Sequence, residues 1–281
     1  LKNVFRVKEM RRKLLYLIWM IFIIRIGCQI PVPGVDSDFF KQWFSSNAGD
    51  AFNFFDAFTG GSFERMSIFA LNITPYITSS IIIQLLTIAI PALEEMQRDG
   101  EEGRKKMTAI TRYVTVGLAL FESIAMAIGF GRQGMIPDLD FFKGVVVVAC
   151  LTAGSAMLMW LGERITEKGV GNGISIVLTI NIISRVPSDL ALLYENFIKG
   201  KTIAKGTLAG LIIAAVILLV VVLVLILNGA ERRIPVQYSK KMVGRKLMGG
   251  QSTNIPLKVN TAGVIPVIFA SSIMSFPAVI A

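Results

Sequence analysis

The sequence predicts an all-α polytopic membrane protein with about seven spanning helices, and three observations carry that prediction. First, 53% of the 281 residues are hydrophobic and the mean hydropathy is +0.64. With only 17% charged residues, a water-soluble domain would leave more apolar surface than it could hide. Second, uncharged runs recur near the roughly 20 residues needed to cross ~30 Å of hydrocarbon. Third, Lys and Arg segregate into alternate connecting segments, the pattern that topology imposes on a chain crossing a bilayer repeatedly.

The spans are justified in chain order. Leu14–Val35 is broken only by Arg25, near the outer end of the helix, where its long stem allows the guanidinium to snorkel to the headgroups. Met66–Leu93 is uninterrupted, and Tyr113–Gly131 is broken only by Glu122. Gly144–Gly162 is uninterrupted, whereas Val170–Ser184 is uncharged but short, and spans only if its neighbours shield it or the bilayer thins. Gly206–Ala230 and Val259–Ala281 complete the set. With the N-terminus inside, the inner segments hold 20 Lys and Arg against 8 in the outer ones, which supports that orientation. Most of the formal net charge of +10 then lies on the inner face, suiting anionic lipid, ribosomal RNA or an acidic protein.

Several kinds of chemistry have no residues to perform them. The two cysteines, Cys28 and Cys150, fall in or beside apolar helices and the chain has no His, so no metal-ligand cluster or Cys–His pair is expected, and no cofactor. A membrane-embedded enzyme lacks any acid-base pair to work with. The first apolar run is followed by "QIPVPGVDSD" without a small-x-small cleavage site, so it is not read as a cleavable signal. Leu1 in place of Met and an end inside an apolar run lead to the expectation of a fragment.

Some residues break the rules for spanning helices. "FDAFTGGSFERMSIFALNITPYITSS" carries Gly60-Gly61 and Glu64-Arg65, with Asn72 and Pro75 further in. It is expected to form a short amphipathic helix joined to a spanning helix Asn72–Ile90. Broken backbone at membrane depth survives only where protein buries it or water reaches it, so the break reads either as a re-entrant plug in an internal cavity or as a loop lying on the lipid surface. Glu122 would cost at least ~2.5–3.5 kcal/mol ionised against lipid, so it must face a polar seam or be protonated. Thr78, Ser79, Ser80 and Gln84 are its candidate partners, either in a moving seam or in a static helix contact. "GERITEKGVGNGIS" reads as a tight, exposed turn with special backbone angles. The loop Ala230–Lys258 pairs its cations at Arg232-Arg233, Lys240-Lys241 and Arg245-Lys246, and the alternation of "RRIPVQY" suits a projecting hairpin that offers cations to a large anionic partner.

"RIGCQIPVPG", "FTGGSFERMSIFALNITPYITSSIIIQLL", "MWLGERITEKGVGNGISI", "RRIPVQY" and "QSTNIPLKVNTAGVIPVIFASSI" together resemble the bacterial SecY protein-translocation channel family, in order and along essentially the whole chain. The resemblance implies a ten-helix clamshell of two inverted halves. Residues 1–184 supply the first half and 185–281 the truncated start of the second, with sixth and seventh helices flanking the basic loop 230–258. It implies a plug at about 53–67, including Phe55, Phe58, Gly60, Gly61, Glu64 and Arg65. It further implies an aliphatic pore ring with Ile73 and Ile77 on one face of the second helix, Leu178 on the fifth and Ile268 on the seventh; such a ring resists wetting without holding a passing chain. A lateral gate would include Thr78 and Glu122. Arg232, Arg233, Lys240, Lys241, Arg245 and Lys246 would dock the motor ATPase SecA or the ribosome.

Those implications describe a passive conduit with SecE and SecG as companion subunits, moving unfolded preproteins outward or releasing signal sequences and membrane helices sideways, in a bacterial inner membrane with the N-terminus cytoplasmic. The rival is a proton-coupled secondary transporter, which also uses broken helices and a buried carboxylate. A carrier needs a polar midplane site, whereas the inferred interior positions are aliphatic.

Overall fold

In the computed structural model, residues 7–37, 39–42, 56–132, 134, 140–199, 203–236, 241–243, 246–248, 253–261, 263 and 270 are described. The chain divides into two units, residues 1–188 with 268–281, and residues 189–267.

In the first unit, α1 (Lys8–Gly27) stops where Cys28 N donates to Ile24 O and Pro31 and Pro33 follow. The described residues between 28 and 73 contain only short helical turns before α2 (Thr74–Ala89), which begins with Pro75 in its first turn, where no amide hydrogen is missed. Ile90 takes an extended conformation, as a residue before proline prefers, and the chain bends by 104° into α3 (Pro91–Arg98). The polar stretch between the expected spans Met66–Leu93 and Tyr113–Gly131 is therefore helical. α4 (Gly100–Arg132) starts at Gly100, whose φ is +71°, and runs 33 residues, about 50 Å, longer than the hydrocarbon it must cross.

α5 (Phe141–Lys168) continues through "GERITEK", so the expected turn shrinks to residues 169–172. Asn172 Oδ1 accepts from Ile174 N and Ser175 N at 3.1 and 3.4 Å, capping α6 (Gly173–Phe197). α6 is longer than the short fifth span expected, because the helix passes through Pro187 instead of ending at Ser184.

The most buried part of the first unit is the broken segment. Phe63, Met66, Phe69, Ala70, Leu71 and Ile73 are each 0–3% exposed. Val32 N donates to Met66 O and Ile68 N to Ile30 O, both 2.9 Å, tying the segment to the turn after α1. Phe40 packs edge-on against Phe63 and Phe130, with centroids 5.8 and 5.0 Å apart. A Cβ on Gly154 would stand 2.0 Å from Ile68 O, and one on Gly27 would stand 2.0 Å from the Phe69 ring. Those two glycines let α5 and α1 close over the segment. α4 and α5 are clamped at one end by the Arg112–Glu163 pair at 2.9 Å and, further along, by the Ser123 and Thr152 hydroxyls at 2.9 Å.

In the second unit, α7 (Ile203–Gly229) is apolar all round, with no residue of its most apolar stretch buried. After it, β1 (Glu231–Val236) pairs antiparallel with β4 (Thr253–Lys258), Arg232 opposite Leu257 and Arg233 opposite Pro256. β2 (Lys241–Val243) pairs antiparallel with β3 (Lys246–Met248). Among the described residues, four helices are long and apolar enough to cross a membrane, or five if the bent α2–α3 pair is one span. Of the seven expected, the first carries Arg11, Arg12, Lys13 and Arg25 within α1, and the seventh lies almost wholly outside the described residues.

Candidate functional site

The site grows from the broken segment. Residues 56–59 form a helical turn and Gly60 to Ile73 are turns, not the amphipathic helix expected up to the spanning helix. Two of these residues, Met66 and Asn72, sit at φ +46° and +53°, and Gly60 and Gly61 at +69° and +80°. Left-handed backbone is costly for a residue with a Cβ, least so for Asn, so the turn is held by its surroundings.

Polar bonds supply the hold. Thr59 Oγ1 donates to Asp56 O at 3.0 Å, and Asp56 Oδ1 accepts from Glu64 N at 2.9 Å. The Asp56 carboxylate pairs with the Arg185 guanidinium of α6. Asn72 Nδ2 donates to Phe58 O at 2.9 Å, and Asn181 Nδ2 of α6 donates to Asn72 Oδ1 at 3.0 Å. Gly60 lies so close to α6 that a Cβ there would stand 2.6 Å from Asn181 O. Of the expected plug residues, Phe58, Gly60, Gly61 and Glu64 are half-buried, Arg65 is exposed and bonded to Gln29, and Phe55 lies outside the described residues.

The aliphatic positions meet at the foot of this segment. Ile73 is fully buried in one apolar cluster with Leu158, Leu161, Ile165 and Val177, and the half-buried Ile77 and Leu178 pack against it. Ile73 is the N-cap of α2, not a helical residue, yet Ile77 N donates to Ile73 O at 3.2 Å, so the two remain one turn apart. Ile268 lies outside the described residues. Ile174, four residues before Leu178 and packed on the same cluster, completes the aliphatic face of α6. Sequence reasoning passed over it although its spacing to Leu178 was the available signal.

The other polar positions fall differently. Thr78 is buried on α2 and its hydroxyl has no hydrogen-bond partner among the described residues, so it does not hold the half-buried Glu122 of α4. Their helices are joined by the next residue, whose Ser79 Oγ donates to Thr111 O at 3.0 Å. Gln84 instead lines a pocket of about 860 Å³ between α2, α3 and α4, with Tyr76, Thr87, Arg104 and Thr108. Arg25 is half-buried, with Nη1 buried and without a hydrogen bond among the described residues. In the second unit, Arg232 and Arg233 are exposed on β1, and as adjacent strand residues they face opposite sides of the ribbon. Lys241 and Lys246 sit on β2 and β3, while Lys240 and Arg245 lie outside the described residues.

Comparison with known proteins places this arrangement. The SecY family model matches residues 67–281. The protein translocase subunit SecY of Streptomyces galbus is 44% identical over 292 residues, covering 99% of this chain and 65% of that protein. The chain thus spans about two thirds of the length of such relatives. A structure described as that of a protein conducting channel superposes with a TM-score of 0.62 at 19% identity, covering 96% of this chain and 57% of the other. A second, whose description states that the plug domain of the SecY protein stabilises the closed state of the translocation channel, gives 0.60 at 20% identity over 96% and 57%. Those superpositions share the fold, and the family match and the 44% identity bring the conclusion: this chain belongs to the SecY family.

Proposed function

We propose that the chain forms the larger, N-terminal part of a protein-conducting channel of the general secretory translocon. The observation that carries this reading is a buried, non-helical segment seated on an aliphatic cluster where α2, α5 and α6 converge. Non-helical backbone is tolerated at membrane depth only where protein buries it or it lines a water-filled cavity, and a plug seated in a channel meets that condition. A ring of Ile73, Ile77, Leu178 and Ile268 resists wetting while making no directional bonds to a passing polypeptide. Residues 53–67 act as the plug. Thr78 and Glu122 lie along a lateral gate that admits signal sequences and membrane segments to lipid.

The channel itself is a passive conduit in a bacterial inner membrane, N-terminus cytoplasmic. SecE and SecG complete it. SecA or the ribosome, the latter through its RNA, docks on the cations Arg232, Arg233, Lys240, Lys241, Arg245 and Lys246, and anionic lipid surrounds the basic face. Unfolded preproteins are the cargo.

The reading is tested by arresting a preprotein in the full-length protein, with Cys28 and Cys150 replaced and single cysteines introduced. Ile77→Cys and Leu178→Cys should cross-link to the arrested chain, and Leu219→Cys on the apolar α7 should not. Failure of both ring positions alongside normal export would remove the aliphatic cluster from the path.

A further inference from the structure

We propose that Asp56, Asn72, Asn181 and Arg185 form a polar latch that fastens the broken segment to α6 and sets how readily it leaves. The inference rests on the channel reading and adds to it the residues that hold the closed state.

The geometry is that of a two-point fastening. Asn181 and Arg185 are four residues apart on α6 and so share a face. Arg185 grips the start of the segment through the Asp56 carboxylate, and Asn181 grips its end through Asn72. Asn72 passes the bond back to Phe58 O, closing the segment into a loop between the two grips. Asp56 is 0% exposed, Asn72 and Asn181 each 1%. Groups this buried are costly to leave unbonded, and removing one partner leaves the other desolvated and less well satisfied.

That asymmetry makes the fastening a switch and not merely a support. A segment held by apolar contact alone would lose little by losing one polar atom. Here Asp56, stripped of Arg185, keeps only the Thr59 hydroxyl and the Glu64 amide, and its buried charge is relieved either by taking up a proton or by the segment moving into water. Neutralising both partners at once removes that drive. Gly60 serves the same contact, since any side chain there would press on the Asn181 carbonyl.

The test uses the full-length protein with its companion subunits in planar bilayers. Arg185→Met and Asn181→Leu should each raise the resting ion conductance at least about tenfold. The double variant Asp56→Asn with Arg185→Gln should leak less than Arg185→Met. Accumulation and thermal unfolding in detergent are measured in parallel, because a purely structural role moves those and not the order of the leaks. Arg185→Met and Asn181→Leu both sealing as tightly as the parent overturns the latch. A double variant that leaks more than Arg185→Met overturns its ionic half. If the parent itself exports no preprotein, the channel reading fails instead, and the two failures are told apart.

Discussion

Replacing Ile73 and Ile77, the two proposed ring isoleucines at the start of α2, one at a time should separate packing from sealing. Ile73 is fully buried against Leu158, Leu161, Ile165 and Val177, whereas Ile77 is half-buried on the edge of the same cluster. Truncating a buried isoleucine costs about 2–5 kcal/mol in soluble cores, from lost transfer energy and the cavity left behind. In a bilayer the lipid is itself apolar, so the transfer share largely vanishes and the packing share remains. Ile73→Ser should therefore destabilise by about 2 kcal/mol, near the low end of that range, and Ile77→Ser by roughly half as much. The conductance effect should not follow that order. A hydroxyl at Ile77 meets whatever space lies beside the cluster and wets it, while one at Ile73 first loosens the seat of the broken segment. Thermal unfolding in detergent and resting conductance in bilayers, measured on the same full-length preparations, give both quantities. Equal unfolding temperatures for the two variants, or an Ile77→Ser channel as tight as the parent, would refute the reasoning.

Two further outcomes follow from other parts of the molecule. Gly154→Ala places a methyl carbon 2.0 Å from Ile68 O, so α5 and the broken segment must separate; a loss of about 1–3 kcal/mol is expected in detergent unfolding, with Gly117→Ala, which meets no atom within 4 Å, as the harmless control. If the proposed docking of the motor or ribosome on this ribbon holds, reversing Arg232 and Arg233 together to Glu should slow that association by about tenfold at low salt, a loss that shrinks as ionic strength rises in surface-immobilised binding measurements.

Hydropathy made the spans legible because a bilayer imposes a length and a polarity on every crossing helix. It was less informative where protein shields the chain. Residues 185–197, polar enough to look like an outer loop, are helical because α6 runs on through Pro187. The charged stretch after Pro91 is helical because α3 packs on α4 so closely that a Cβ on Gly103 would stand 1.7 Å from Met96 O. The broken segment announced itself through Gly60-Gly61, but the partners of Asp56 and Asn72 lie far away in sequence, beyond any local period. Glu122 drew attention as an isolated carboxylate, while α4 is tied to its neighbours by the Arg112–Glu163 pair and by Thr111 and Ser123, and the last two carry no charge to advertise them.

The separation between the two ends of the Asn72–Asn181 bond, 109 residues, is also a delay. At roughly 5–20 residues per second, about 5–20 s pass between the synthesis of the broken segment and that of the helix that fastens it. During that interval Asp56 and Asn72 have no α6 to bond, and a stretch rich in Phe and in unpaired amides waits at the membrane. α1 is made before it, and its turn offers the Val32 and Ile68 bonds at once. That early clasp is what can shelter the segment until α5 and α6 arrive, so a variant that weakens the turn at Ile30–Val32 should show its damage in the yield of assembled protein sooner than in the behaviour of the protein once made.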